Sequence, residues 1–112
     1  MMEKQKENKI YELHAEICKI LANPKRLQIL NLLRNKEMSV NELASLMEIR
    51  EANVSQHLTV MRQKGILIAR REGVNIYYRI ANPKVIKACD IMREVLLEQL
   101  EERAQLVEDI QV

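Results

Sequence analysis

The stretch that decides the fold is residues 39–80, SVNELASLMEIREANVSQHLTVMRQKGILIARREGVNIYYRI. It opens on Ser39, and Glu42 follows three residues later, which is the pattern of a helix capping box. A further helix is expected over 51–64, because Gly65 can take the left-handed conformation that commonly ends a helix. Two short helices separated by a few residues predict a helix-turn-helix at 39–64.

The segment after this pair predicts a β-hairpin. Residues 66–71 and 75–80 are strand-like, and a short turn that contains one glycine joins them. A hairpin directly after a helix-turn-helix has the position of a wing. The sequence therefore predicts a winged helix-turn-helix with its wing at 66–80.

Helices are predicted on both sides of this unit. Apolar residues recur at three- and four-residue spacing over 6–22, which indicates an amphipathic helix. Asn23 and Pro24 end it and start another helix that runs to about residue 35, with Leu27, Leu30 and Leu33 facing inward. A long last helix is predicted over 83–108. The predicted fold is mainly α with a small β-hairpin, in the order α-α-α-α-β-β-α.

The composition fits one small domain over residues 1–112. Of the 112 residues 47% are hydrophobic, and Phe and Trp are lacking, so Leu, Ile, Val and Met must build the core. No apolar run approaches the roughly 18 residues that a transmembrane helix needs. The charged N-terminus has no apolar segment behind it. We therefore expect a cytoplasmic protein that does not bind membranes.

Charge is distributed unevenly along the chain. Residues 52–71 carry four basic and no acidic residues, whereas residues 90–112 carry seven acidic residues against two arginines. A solvated helix face would explain four basic residues equally well, so their position within the motif carries the argument. That position is the second helix of the helix-turn-helix and the first strand of the wing.

The helix at 51–64 has a polar face suited to reading DNA. Val54, Leu58 and Met61 share its inner face, and the residues that point outward are Asn53, Ser55, Gln56, Thr59, Arg62 and Gln63. Amide, hydroxyl and guanidinium groups can pair with base edges in the major groove. The alternative is an ordinary solvated helix face.

The wing gives a second indication of the same kind. Arg70, Arg71 and Asn75 flank the glycine turn, where they could reach phosphates or the minor groove. Tyr77 and Tyr78 point in opposite directions, so one of them packs inward. A charged ribbon that only aids solubility is the alternative, but a polar helix and a basic hairpin side by side favour binding to double-stranded DNA.

Four strings carry a family resemblance. LANPKRLQILNLL, SVNELASLM, VSQHLTVMRQKGIL and RREGVNIYYRI stand in the order and at the spacing of the ArsR/SmtB family of dimeric winged-helix repressors, which the chain resembles over residues 15–85. The resemblance implies a homodimer built from the first and last helices. It also implies DNA-reading positions at Ser55, Gln56 and His57, and a wing around residues 71–75 on the DNA backbone.

One position departs from the family pattern. Arg50 stands at the start of the reading helix, where the family usually has a serine. The capping hydrogen bond is then missing or supplied by another group. We predict that Arg50 binds a phosphate instead.

The last helix supports a dimer from its own residues. Its apolar stripe comprises Val85, Cys89, Met92, Leu96 and Leu100, and it is widened by Ala88, Ile91, Val95 and Leu97. A stripe this wide favours pairing with a second copy, and the alternative is that the helix folds back over its own domain. A two-fold dimer predicts a DNA site that is an imperfect inverted repeat, with half-site centres about 10 base pairs apart.

The positions at which the family holds metal ions lack suitable side chains. They are occupied here by Ser39, Asn41, Asn82, Lys84, Val95 and Glu98. Of these only Glu98 could ligate well, because zinc-like ions prefer thiolate and imidazole. The family's two-cysteine sensors of sulfide or oxidants have their thiols at positions that are Asn31 and Leu97 here. We therefore expect no cofactor, and no metal at these inherited positions.

His14, Cys18 and Cys89 remain as candidate sensing residues. His14 and Cys18 are one turn apart on the first helix, and Cys89 lies on the stripe of the last helix. Three interpretations stay open: interface thiols without chemistry, a redox or sulfur switch that joins Cys18 to Cys89, and a metal or metalloid site formed by all three residues.

Two classes of function remain. One is a sequence-specific transcriptional repressor, and the other is a winged-helix module that serves protein interaction or DNA architecture without choosing an operator. Enzymatic activity is not expected, because the sequence offers no nucleophile with a matching base, no phosphate-binding loop and no dense carboxylate pair.

Overall fold

The computed structural model describes residues 2–111, within which it contains five helices and three strands. In chain order these are α1 (Met2–Leu21), α2 (Pro24–Leu32), β1 (Met38–Ser39), α3 (Val40–Met47), α4 (Glu51–Gln63), β2 (Leu67–Glu72), β3 (Asn75–Ile80) and α5 (Lys84–Gln111). Met1 and Val112, the ends of the predicted domain, lie outside the described residues. The chain forms two compact units, one up to Asn82 and one from Pro83 onward. The predicted helices and hairpin are confirmed, and the order α-α-β-α-α-β-β-α adds one strand.

Local capping explains where the helices of the first unit begin. The Asn23 side chain accepts hydrogen bonds from the backbone amides of Lys25 (3.0 Å) and Arg26 (3.2 Å), and Pro24 is the first residue of α2. The capping box of α3 is present, because Ser39 Oγ accepts from the Glu42 amide at 3.2 Å while the Glu42 carboxylate accepts from the Ser39 amide. Helix α2 ends at Leu32, earlier than the predicted residue 35.

The strands form a three-stranded antiparallel sheet in the order β1-β3-β2. Strand β1 pairs Met38 with Tyr78 and Ser39 with Tyr77. The predicted hairpin is confirmed with a tighter turn than expected, because Glu72 pairs with Asn75 and leaves a two-residue loop. That loop begins with Gly73 at φ 61°, and Val74 after it does not have a positive φ, which is the pattern of a type II′ turn.

The core lies beneath α4 and the sheet. Val54, Leu58 and Met61 on α4 are fully buried, which confirms its predicted inner face. Their neighbours in the core include Ile29, Leu30, Leu33, Leu43, Met47, Ile66, Leu67 and Tyr78. The burial of Tyr78 and the partial exposure of Tyr77 confirm that only one of the two tyrosines packs inward.

The prediction that Leu27 faces inward is wrong, because this side chain is 43% exposed. The buried arc of this segment is formed by Ile29 and Leu30 on α2 and by Leu33 at its C-cap. At about 100° per residue, Leu27 lies about 60° beyond the edge of that arc. A three-residue spacing from Leu30 was therefore not enough to place it in the core.

The first and last helices are mostly exposed. Ile20 is the one buried residue of α1 among those described, and α5 buries none of its residues. Large apolar side chains are nevertheless frequent on both helices and include Ile10, Tyr11, Leu13, Ile17, Met92, Val95, Leu96 and Leu100. Across residues 2–111 the structure has no helix with the length and apolar character that crossing a membrane requires.

Candidate nucleic-acid interface

The outer face of α4 is polar and accessible. Asn53, Ser55, Gln56, Thr59, Arg62 and Gln63 are all exposed, as the sequence predicted. This face borders an open depression of about 660 Å³. The residues around it are Arg26, Ala52, Ser55, Gln56, His57, Thr59 and Val60. The fully buried residues on the opposite side hold α4 against the core, so the polar face is presented on a fixed support.

The turn before α4 sets its direction. Glu48 ends α3 in the left-handed conformation at φ 55°, and the Ile49 amide donates back to the Ala44 carbonyl at 3.2 Å. Arg50 then takes the N-cap position of α4 with an extended backbone, and its side chain makes no capping hydrogen bond. The Arg50 guanidinium is exposed at the helix N-terminus, where a phosphate would also meet favourable backbone amides.

His57 differs from the other residues of this face. It is half-buried, and its Nδ1 atom accepts a hydrogen bond from Arg26 Nε at 3.1 Å. Burial lowers the pKa of His57, and the positive charges of Arg26 and Lys25 lower it further. His57 is therefore held as a neutral ring whose orientation depends on α2.

Arg70, one of the predicted DNA contacts of the wing, is occupied by partners within the chain. Its Nε donates to Glu37 at 3.2 Å, a second guanidinium nitrogen donates to the other Glu37 oxygen, and a third bond of 2.9 Å reaches Glu72. The guanidinium carbon lies 5.0 Å from the centre of the Tyr77 ring. The hydrogen bond from Arg70 lowers the pKa of Glu37, and the two carboxylates raise the pKa of Arg70.

The remaining wing residues are open to solvent. Arg71 and Asn75 are exposed on either side of the turn, and Val74 at the tip is 97% exposed. Within residues 2–111 Arg71 takes part in no ion pair. The two adjacent arginines thus differ in their partners. Arg70 ties the wing to Glu37, the residue before β1, whereas no carboxylate of residues 2–111 pairs with Arg71.

The candidate sensing residues lie outside the winged helix. His14 and Cys18 are exposed on α1, Cys89 is half-buried on α5, and both cysteines are thiols rather than a disulfide. Within residues 2–111 no group of three or more His, Cys, Asp and Glu side chains could hold a metal ion.

Two residues of this surface are not among those predicted from the sequence: Arg26, which holds His57, and Glu37, which holds Arg70. Both act across more than 30 residues of chain, so periodicity could not reveal them. Arg26 did carry one usable signal, because a cation in the first turn of a helix is disfavoured by the helix dipole. A guanidinium at that position suggests a specific partner elsewhere in the fold.

Comparison with known proteins agrees with this architecture. The family model described as "Bacterial regulatory protein, arsR family" matches residues 23–69. The HTH-type transcriptional regulator Rv0081 of Mycobacterium tuberculosis is 39% identical over 102 residues, which is 90% of each chain. The crystal structure of Rv0081 superposes with a TM-score of 0.76 at 40% identity, covering 85% of this chain and 96% of that one.

Two further proteins extend the comparison. The transcriptional repressor PagR of Bacillus anthracis is 43% identical over 72 residues, which is 63% of this chain and 72% of PagR. The homodimeric winged helix-turn-helix DNA-binding domain Mb0332 of Mycobacterium bovis has a TM-score of 0.75 at 34% identity, covering 83% of this chain and 86% of that one. The chain thus shares its fold with bacterial transcriptional regulators, one of which is a winged helix-turn-helix DNA-binding domain.

Proposed function

This chain belongs to the ArsR family of winged helix-turn-helix, DNA-binding transcriptional regulators, and from that premise we propose that it is a homodimeric repressor which binds an inverted repeat in double-stranded DNA. Its relatives are transcriptional regulators and not enzymes. The observation that carries the proposal is the exposed polar face of α4 opposite a fully buried apolar face.

We propose that α4 enters the major groove with Ser55, Gln56 and His57 at the bases. Asn53, Thr59 and Arg62 lie on the same helix, near enough to reach adjacent bases or phosphates. Arg50 at the N-terminus of α4 is placed to bind a phosphate. In the wing, Arg71 and Asn75 contact the backbone, while Arg70 contributes mainly by holding the hairpin in position.

The proposed dimer covers apolar surface that a single chain leaves in water. Leu96, Leu97 and Leu100 on α5 and Ile10 and Ile17 on α1 are each at least 40% exposed. Single exposed apolar residues are common, but two helices with this many favour an interface. The relative Mb0332 is homodimeric. A two-fold pairing through α1 and α5 would give an operator with half-site centres about 10 base pairs apart.

The operator proposal is tested by measuring affinity for the protein's own upstream DNA against a scrambled sequence of equal length and salt concentration. Gln56→Ala should weaken binding to the upstream DNA about 5- to 150-fold, the range that 1–3 kcal/mol per base contact implies. Gln63→Ala, the same change at the far end of the helix, is the matched control. Equal affinity for both DNAs would instead support the alternative, an architectural or protein-interaction module without an operator.

For regulation we propose a thiol switch at Cys18 and Cys89. Two thiols would lose two electrons and two protons to an oxidant such as a peroxide, which is reduced to water, and form one disulfide. The bond would tie α1 to α5 at the proposed dimer interface and change the spacing of the reading helices. The support is the position of both thiols on those two helices.

The switch is tested by titrating DNA binding with oxidant or polysulfide. Wild-type protein should lose affinity, whereas Cys18→Ser and Cys89→Ser should not respond. A response in either variant equal to that of wild type would remove the proposal. A metal or metalloid site at His14, Cys18 and Cys89 is the competing candidate, and its mark would be loss of DNA binding on adding zinc or arsenite to fully reduced protein.

A further inference from the structure

Arg26 links three helices of the first unit through one side chain. Its Nε donates to His57 Nδ1 on α4 at 3.1 Å, and its terminal nitrogen donates to the Ile20 carbonyl at the end of α1 at 3.2 Å. Its backbone amide is held by the Asn23 cap at 3.2 Å. Because Ile20 is buried, the carbonyl that accepts this second bond belongs to a packed part of α1.

The chemistry of this contact fixes the protonation state of the ring. A guanidinium has only donors, so the nitrogen that faces it must offer a lone pair. His57 Nδ1 is therefore unprotonated, and the proton of the neutral imidazole lies on Nε2. An imidazolium ring would place one N–H group against another, which agrees with the lowered pKa of His57.

We propose that Arg26 is a positioning residue that fixes His57 as a hydrogen-bond donor through Nε2, so that His57 reads an acceptor in the major groove. The acceptors available there are the N7 atoms of purines, O6 of guanine and O4 of thymine. The exocyclic amino groups of cytosine and adenine are donors and do not pair with this ring. The base-reading part of the inference rests on the proposed placement of α4 in the groove.

The surroundings favour a positioning role over a direct phosphate contact. Arg26 is half-buried, and its Nε and one terminal nitrogen are already committed to His57 and Ile20. Lys25 is exposed beside it and contributes only its charge to the environment of His57. Lys25→Met therefore removes a neighbouring cation without removing the hydrogen bond, and it is a matched control for Arg26→Met.

The tautomer is measured by ¹⁵N NMR of the histidine rings in the full-length protein. The chain has two histidines, so a His14→Gln variant assigns the His57 signals. Wild type and Lys25→Met should show Nε2 protonated and Nδ1 unprotonated at neutral pH. Arg26→Met should show a mixture of tautomers and a higher His57 pKa. A protonated Nδ1 in wild type would overturn the tautomer assigned to His57. An unchanged tautomer in Arg26→Met would overturn the role of Arg26 in fixing it.

The wild-type spectrum decides the tautomer even where Arg26→Met fails to fold, and it does so without DNA. This separates the assignment from the proposed operator binding, which the upstream-DNA experiment tests. The reading role is tested by selecting binding sites from random DNA. Wild type and Lys25→Met should share a preference for one base pair at one position per half-site, and Arg26→Met should lose that preference about tenfold or more.

The salt dependence of binding separates positioning from phosphate contact. Arg26→Met should leave the slope of log affinity against log salt unchanged, because no phosphate contact is lost. A slope smaller by about one would make Arg26 a phosphate ligand and overturn the positioning role. Unchanged base preference in Arg26→Met would overturn the role of Arg26 in positioning His57 for base reading.

Discussion

The reading head, residues 23–80, and the two flanking helices, α1 and α5, differ in how far they bury their apolar residues. The head buries Leu30, Leu43, Leu58 and their neighbours almost completely within one chain. The flanking helices hold comparable numbers of large apolar residues but bury only Ile20 among those described. One chain therefore suffices to shape the proposed DNA-binding surface, whereas the apolar residues of the flanking helices would be covered only in the proposed dimer.

The largest effect should come from breaking the core of the head. Leu58→Ala removes a fully buried side chain, and its loss should cost about 2–5 kcal/mol of unfolding free energy, which urea denaturation measures. Leu46→Ala is the control, because Leu46 is 58% exposed and should change stability by less than about 0.5 kcal/mol. Equal losses in the two variants would contradict the assignment of the core.

Substitutions in the flanking helices should change the oligomeric state of the protein. Leu96→Lys places a charge in the proposed interface and should raise the dimer dissociation constant about 100-fold or more, or about 2.7 kcal/mol. Glu94→Lys adds the same side chain to the polar face of α5 and should leave the dimer intact. Sedimentation velocity over a concentration series distinguishes the two, and a dimer that tolerates Leu96→Lys would place the interface elsewhere.

Within the head, substitutions of the two adjacent wing arginines should affect the salt dependence of DNA binding differently. Arg71→Gln should reduce the slope of log affinity against log salt by about one, because it removes a phosphate contact. Arg70→Gln should change the slope much less, because two carboxylates already face that guanidinium. The reverse order would mean that Arg70 leaves Glu37 when DNA binds.

The smallest expected effect is at Arg50, where one substitution should raise stability and weaken DNA binding. Arg50→Ser supplies the cap that α4 lacks and should stabilise the fold by about 1 kcal/mol, while DNA binding weakens because a cation is lost. Arg50→Ala should weaken DNA binding to the same extent without the gain in stability. Thermal unfolding and DNA titration of both variants measure this, and a Ser variant no more stable than the Ala variant would show that another group already caps α4.

Local features of this fold could be predicted from the sequence. The Asn23 cap, the Ser39–Glu42 capping box and the stop at Gly65 involve residues at most a few positions apart, so their chemistry can be read directly from the chain. The inner face of α4 was predicted for the same reason, since helical periodicity alone decides it. Leu27 shows the limit, because spacing predicts a helix face but not how wide the buried arc is.

Features that depend on distant partners could not be predicted. Strand β1 has two residues and exists only through its pairing with β3, so it leaves no pattern in the sequence. The hydrogen bond of Arg26 to His57 and that of Arg70 to Glu37 join residues 31 and 33 positions apart. The sequence therefore indicated which residues lie on the exposed polar face of α4 and on the wing, but not which of them have partners within the chain.

Strand β1 also limits how the protein can be regulated. Ser39 caps α3 and at the same time pairs with Tyr77 in the wing, so the helix-turn-helix and the hairpin share a residue that couples their movements. The hydrogen bond from Arg70 to Glu37 is a second connection between the hairpin and the chain beside β1. We expect residues 23–80 of each chain to move as a rigid body. An effector would then change the distance and tilt between these two units of the proposed dimer and would not deform either unit.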